Sequence, residues 1–367
     1  MSGLTKDLRA FMLARGAVGF GVCTADPFDD AREAIRQRSR SGLSAGLRFT
    51  FANPERATDV RTSFPWAERI IACAVPYDIR APAVQGDHEG RVARFAVADA
   101  YHPLRQALEE LSTLLREQGW RADALVDDNR LVDRAAAVRA GVGWWGKNTM
   151  VLVPGAGPWV LLGSVVTDAP VDPTPPMVRS CGSCTACLPA CPTNALIAPG
   201  TLDARRCLAA IAQSPGAIPR EFRAVMGSRI YGCDDCLEAC PPGGRALRRA
   251  GVSRRGVVDL IEILMAADRT LMGRFEHFYI PRRDPRYLRR NALVALGNSR
   301  DPGTTGILSG YLGHPDPLLR IHAAWALGQI GHGRASLEVA ESREHDEAVR
   351  TEVHIALTAL QNRDQVP

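Results

Sequence analysis

Apolar positions along this chain change rhythm twice. Up to about residue 175, strand-length apolar runs alternate with stretches at helical spacing. Val18-Gly-Phe-Gly-Val22, Arg69-Ile-Ile-Ala-Cys-Ala-Val75 and Trp159-Val-Leu-Leu-Gly-Ser-Val-Val166 read as strands, and Pro103 to Leu115 reads as an amphipathic helix. Pro170, Pro173, Pro175 and Pro176 then mark a linker. A cysteine-rich stretch follows, and after about residue 245 amphipathic helices recur. The pattern predicts an α+β protein in three parts: an α/β-type domain over 1–175, a cysteine domain over 176–245, and all-α repeats over 246–367.

The repeats have a measurable period. Leu288-Arg-Arg-Asn-Ala-Leu-Val-Ala-Leu-Gly-Asn298 matches Leu319-Arg-Ile-His-Ala-Ala-Trp-Ala-Leu-Gly-Gln329 at 31 residues, and Val349 to Leu357 is a degenerate third copy 30 residues on. Stacked helix pairs of this kind form HEAT-like solenoids, whose faces are binding surfaces. Arg289, Arg320 and Arg350 recur with the repeat, and the spacing predicts a ladder on one face, suited to a phosphate backbone.

The cysteines carry the sharpest chemistry. Cys181, Cys184, Cys187 and Cys191, followed by Pro192, form C-x2-C-x2-C-x3-C-P, the bacterial ferredoxin run. Cys233, Cys236 and Cys240 with Pro241 repeat its second half without the leading cysteine, and the isolated Cys207 is the candidate for that place. Zinc has no use for a Cys-x2-Cys-x2-Cys triple, and disulfides require an oxidising compartment. Eight thiolates for two 4Fe-4S clusters is the reading that accounts for the spacing, and it makes the protein a mover of single electrons. The other two cysteines, Cys23 and Cys73, sit in or beside the apolar strands and read as buried structural thiols.

Composition and charge refine this picture. The chain has 367 residues, is 46% hydrophobic and 23% charged, as expected of a globular protein, and no apolar run reaches the ~18 residues of a membrane span. Arg15 interrupts the apolar N-terminal stretch and no small-residue cleavage site follows. A cytoplasmic location is expected, with no membrane partner. The net charge of +5 is unevenly spread, since residues 241–290 hold twelve arginines against five acids. Such a belt suits a polyanion, most simply nucleic acid.

One further stretch is unusual: Val126-Asp127-Asp128-Asn129, Asp133-Arg134, then Ala140-Gly-Val-Gly-Trp-Trp-Gly-Lys147-Asn148. Gly141, Gly143 and Gly146 predict close approach to a flat or bulky group, with Trp144 and Trp145 as apolar walls. Lys147 is one of two lysines against 43 arginines, which suggests a place for a compact ammonium.

Together these pieces resemble the epoxyqueuosine reductases, cobalamin-dependent iron–sulfur enzymes of queuosine synthesis in tRNA. The match runs through Val126-Asp127, Asp133-Arg134-Ala135, Ala140 to Asn148, Cys181 to Pro192, Asp203-Ala-Arg-Arg-Cys207, Gly227 to Cys236 and Arg290 to Gly297. The resemblance implies a cobalamin-binding N-terminal domain, a ferredoxin-like domain with two 4Fe-4S clusters, and a HEAT-like tail holding tRNA. It implies reduction of epoxyqueuosine to queuosine in the tRNA anticodon by a monomer, with electrons from an external donor of flavodoxin or ferredoxin type. It places the proton donor on Asp127 and the cobalamin contacts on Arg56, Asp127, Asn148, Val151 and Leu162, with Lys147 adjacent. Cluster ligation is crossed: Cys181, Cys184, Cys187 and Cys240 hold one, and Cys191, Cys207, Cys233 and Cys236 the other. Arg289, Arg290 and Arg320 are the candidate tRNA contacts.

The chain departs from the family pattern at three places. Asp128 and Asn129 follow the catalytic Asp where Ser or Thr and a small residue are usual; in an extended segment the two carboxylates would face opposite ways. Ala100-Tyr101-His102 replaces Asp-Tyr-His, with Asp99 displaced by one, and Asn194 replaces Gly at a position where Asn tolerates positive φ. Two rivals share parts of the pattern. A cobalamin reductive dehalogenase has the first two domains without the repeats. A ferredoxin-type carrier with a docking solenoid has the cysteines, but no use for the Asp127 to Asn148 stretch.

Overall fold

The structure, a computed structural model, describes residues 2–80, 88–252 and 256–364, with backbone only at 256, 257 and 364. Arg254 and Arg255 of the basic belt lie outside the described residues. Two compact units emerge: Met1–Ile79, Ala98–Arg205 and Asp234–Ser253 in one, Arg80–Val97, Arg206–Cys233 and Arg254–Pro367 in the other. The cysteine segment expected as one domain is therefore divided, with 206–233 in the second unit.

In the first unit, four strands form an antiparallel sheet in the order Gly19–Thr24, Arg69–Pro76, Val160–Thr167, Ala122–Leu125. Both faces are covered. Ile71 and Cys73 point into a core with Leu8, Met12, Leu104, Leu108 and Leu111 of helices Gly3–Ala14 and Tyr101–Glu117. Ile70, Ala72 and Ala74 point the other way, against Phe28, Phe64, Leu131 and Ala136. Because successive side chains alternate across a strand, two buried faces demand an unbroken apolar run, which is what Ile70 to Val75 supplies. Cys23 and Cys73 are buried in these cores as expected, and desolvation pushes each thiol up to about 12.

In the second unit the Glu89–Val92 strand is the middle of a three-stranded sheet, parallel to Arg229–Tyr231 and antiparallel to Gly256–Asp259. Repeat helices Arg286–Ser299, Pro317–Ile330 and Glu347–Asp364 pack side by side. The glycines closing the repeat sequence explain the spacing. A Cβ on Gly297 would lie 2.8 Å from Ala326 Cα, and one on Gly328 would lie 2.9 Å from Ala356 Cβ. The first two helices thus each use a glycine to let the next approach. Among the described residues, no helix is long and apolar enough to cross a membrane.

Candidate active site and cluster ligands

Asp127 follows the Ala122–Leu125 strand, where the chain bends sharply. Its φ is +49°, so the segment is not extended and the expected alternation of Asp127 and Asp128 does not apply. The left-handed backbone separates the two carboxylates instead. Asp128 turns to Arg130, whose Nε and Nη2 donate to it at 2.6–3.0 Å. Burial pushes the Asp128 acid up, but the Arg130 fork outweighs it and holds the carboxyl below its usual range. Asp127 lines a hollow of about 130 Å³ with Tyr101, Asp133, Arg134 and an apolar wall of Met150, Val151, Val160 and Leu162. Desolvation by these neighbours raises its carboxyl; Arg105 and Arg134 oppose this, and the charge of Asp128 adds to it.

Asp133 and Arg134 open the Asp133–Arg139 helix. Asp133 Oδ1 is buried without a hydrogen-bond partner. Burial, then the charges of Asp127 and Asp128, drive its carboxyl well above the ordinary range. In the sequence this pair stands out only as part of the Asp133-Arg134-Ala135 match, with no role attached to it. Its signal was a charged dipeptide opening a helix that is otherwise mostly alanine. Tyr101 and Met150 also line the hollow and were missed, having no local pattern to mark them.

Of the expected cobalamin contacts, the hollow gathers Asp127, Val151 and Leu162. Arg56 sits on the short helix Pro54–Thr58 with its Nε at 3.3 Å from Ser63 Oγ. Lys147 does not turn toward the hollow: its Nζ donates to Gly182 O at 2.7 Å, inside the first cysteine loop. Asn148 is buried, donates toward Cys236 O at 3.4 Å and accepts from Met150 N at 3.2 Å. The glycines of this stretch also serve the chain itself. A Cβ on Gly141 would meet Pro175 O at 2.2 Å and one on Gly143 would meet Leu152 O at 2.4 Å. They make a tight corner, and the corner ties the hollow to the cysteine loops.

Cys181, Cys184, Cys187 and Cys240 lie close enough that the thiol of Cys240 is pushed up by desolvation and by the charges of the other three. Cys187 is raised by burial and by Cys181 and Cys184, while Lys147 pulls it down. Among the described residues no three His, Cys, Asp or Glu converge on a single ion; four thiolates around a cube of iron and sulfur stand wider apart. Cys191 accepts from Ala195 N at 3.1 Å, and backbone donors overcome the effect of its burial and lower its thiol. Asn194 in the same loop has φ +51°, the conformation its replacement of glycine was expected to accept. Cys191 and Cys236 belong to the first unit, Cys207 and Cys233 to the second.

The arginine ladder is not a row of free guanidiniums. Arg290 is 1% exposed and donates to the carbonyls of Ser214, Ala212 and Gly216, which makes it an internal clasp, contrary to its expected place on a tRNA-facing surface. Arg289 pairs with Asp268 at 2.6 Å, and Arg320 makes a fork to Glu344 at 2.7 and 2.9 Å. Arg350 alone of the four is exposed.

A ferredoxin-like cysteine set, an acid beside an apolar hollow and a helical-repeat tail define an iron–sulfur oxidoreductase. Family models agree in chain order: Epoxyqueuosine reductase QueG, DUF1730, matches residues 57–128, a 4Fe-4S double cluster binding domain 180–243, and HEAT repeats 280–361. An epoxyqueuosine reductase of Bacillus cereus is 33% identical over 377 residues, covering 99% of each chain, and one of Aliivibrio fischeri is 35% identical, covering 95% of each. The crystal structure of an epoxyqueuosine reductase with a tRNA-Tyr epoxyqueuosine-modified stem loop matches with a TM-score of 0.86 at 30% identity, over 98% of this chain and 99% of that one. The structure from Streptococcus thermophilus gives 0.88 at 27%, over 98% and 100%. The chain belongs to the epoxyqueuosine reductase family.

Proposed function

We infer that this protein reduces epoxyqueuosine to queuosine in tRNA, using cobalamin and two 4Fe-4S clusters, in the cytoplasm and as a monomer. The observation that carries the catalytic reading is the pairing of a raised, unclamped carboxyl, Asp127, with a wall of Met150, Val151 and Leu162. The residues present fit a corrin: an apolar wall for a flat macrocycle, polar groups at its edge, and a buried acid oxygen on Asp133 without a partner. Asp127, Val151 and Leu162 would hold it, with Arg134 beside them. Asn148 acts from behind, fixing the Met150 turn. Bound there, cobalamin supplies a strongly reducing cobalt centre that no side chain offers.

The net reaction takes the epoxide, two electrons and two protons to the alkene and water. As the C–O bond breaks, negative charge gathers on oxygen, and Asp127 delivers a proton to it. Its raised pKa keeps it protonated nearer neutrality, while Asp128, held ionised by Arg130, has no proton to give. Cys181, Cys184, Cys187 and Cys240 would hold one 4Fe-4S cluster and Cys191, Cys207, Cys233 and Cys236 the other, and the pair would supply one-electron transfer. The electrons come from a flavodoxin- or ferredoxin-type donor. For tRNA, the exposed arginines of the tail, Arg282, Arg300 and Arg350, are better placed than the internally paired Arg289, Arg290 and Arg320. Mass spectrometry of tRNA nucleosides from cells lacking the protein tests the reading. Accumulated epoxyqueuosine is expected, and unchanged queuosine would overturn it.

A further inference from the structure

The first cysteine loop lies open: residues 182–186, Cys184 included, are all exposed. Cys181, Cys184 and Cys240 share the lining of a hollow of about 450 Å³ with Arg179, Arg245 and Arg249. All three arginines are exposed, and among the described residues none is held in an ion pair. Arg248, on the same Pro241–Arg249 helix, is exposed as well. Beside Arg179, Val178 is fully exposed at 101%. This contrasts with the tail, where Arg289, Arg290 and Arg320 are spent on internal partners.

Unpaired cations around an apolar spot attract an acidic surface, and their main effect is on the rate of encounter. Weak redox encounters use small interfaces. The aromatic in the hollow's lining, Trp144, is 9% exposed with Arg179 over its ring, so it offers no open face on which a base would stack. Gly182, Ser183, Thr185 and Ala186 are small, so another protein's redox group can come close to the cysteines.

We propose that this face docks an acidic one-electron carrier protein of the flavodoxin or ferredoxin class, and that electrons enter through the first cysteine set. The proposal rests on the cluster reading above. In each encounter the carrier is oxidised by one electron and the cluster is reduced by one; two encounters supply one epoxide reduction.

The test uses the anaerobic holoprotein and a reduced acidic flavodoxin, following bleaching of cluster absorbance by stopped flow. Arg245→Glu/Arg249→Glu should slow reduction at least about tenfold at low salt, within the range electrostatic steering spans, and Arg245→Gln/Arg249→Gln by less. The wild-type rate should fall as salt rises, while that of the reversed pair should not. Iron content, tRNA affinity and reduction by methyl viologen radical, which needs no docking face, should stay unchanged. An unaltered flavodoxin rate in the reversed pair overturns the proposal. So does a loss of tRNA affinity with the flavodoxin rate intact, which would make this an RNA surface. If methyl viologen radical leaves the wild-type protein unbleached, the cluster reading itself falls, and the proposal with it.

Discussion

Arg130 grips Asp128 through a fork of contacts at 2.6–3.0 Å, and that pair decides which of two adjacent carboxylates is free to act as an acid. Asp127 turns away on a left-handed backbone into the hollow. Asp127→Asn keeps the shape but cannot deliver a proton of the right acidity. It should retain cobalamin, clusters and tRNA yet lose roughly 10²–10⁴ in single-turnover rate, the usual contribution of a general acid. Asp128→Asn should lose less than tenfold at low pH, about 1.4 kcal/mol, since it releases Arg130 and leaves the Asp127 carboxyl in place. Single-turnover reduction of epoxyqueuosine tRNA with a chemical reductant measures both; a collapse confined to Asp128→Asn would move the acid to the neighbour.

The mutual influence of Cys181, Cys184, Cys187 and Cys240 makes the first ligand set testable by composition alone. Wild type should bind roughly eight irons per chain after anaerobic reconstitution, as two 4Fe-4S clusters require. Cys240→Ser should fall to about half of that, as should Cys207→Ala for the second set, whereas Cys73→Ser should lose none. Full iron and sulfide in Cys240→Ser would break the crossed assignment.

Arg290 closes a clasp between the first repeat helix and the carbonyls in the last turn of helix Leu208–Gln213 and just beyond it, with Asn291 beside it donating to Ala212 O and Ile230 O. Replacing it by leucine strands several buried carbonyls, each costing about 1–3 kcal/mol. Arg290→Leu should therefore lower the unfolding midpoint strongly. The salt slope of tRNA binding by folded protein should stay the same, while Arg350→Gln should reduce it by up to about 0.9. A shallower slope in Arg290→Leu would show that the clasp opens to reach RNA.

What was legible in the sequence was what local pattern encodes. The apolar run Ile70 to Val75 gave its strand because two buried faces require it, and the Leu-Gly step of the first two repeats gave a helix because the contact it makes recurs. The cysteines were legible because ligation fixes their spacing. The Glu89–Val92 strand was not, since its pairing comes from residues some 140 and 170 positions away in sequence and its four residues carry no apolar alternation. The arginine ladder misled for a related reason: a guanidinium serves a buried carbonyl, a carboxylate or a phosphate equally well, and only packing chooses. Lys147 likewise has an ammonium whose target is set by the corner built from Gly141, Gly143 and Gly146.

The hollow's carboxylates titrate in an order that kinetics can read. Asp127 stands above the ordinary range, and Asp133 stands well above it, partly because Asp127 is already ionised when Asp133 titrates. The proton-delivering form of Asp127 is the acid, so the single-turnover rate should be level at low pH and fall about tenfold per pH unit above its pKa. Asp128→Asn removes a negative neighbour that raises Asp127, so the fall should move to lower pH. Asp133→Asn should leave the fall in place, because Asp133 is neutral while Asp127 titrates. It should instead change stability. A carboxyl whose folded pKa is raised binds its proton more tightly in the fold, so its penalty is absent below about pH 4 and grows as pH rises toward the folded value. Asp133→Asn should accordingly raise the melting temperature at neutral pH and give no such gain in acid. Thermal melts across pH, run beside the rate profile, check both; a gain that persists at pH 4 would show that Asp133 destabilises the fold by its shape and not by its charge.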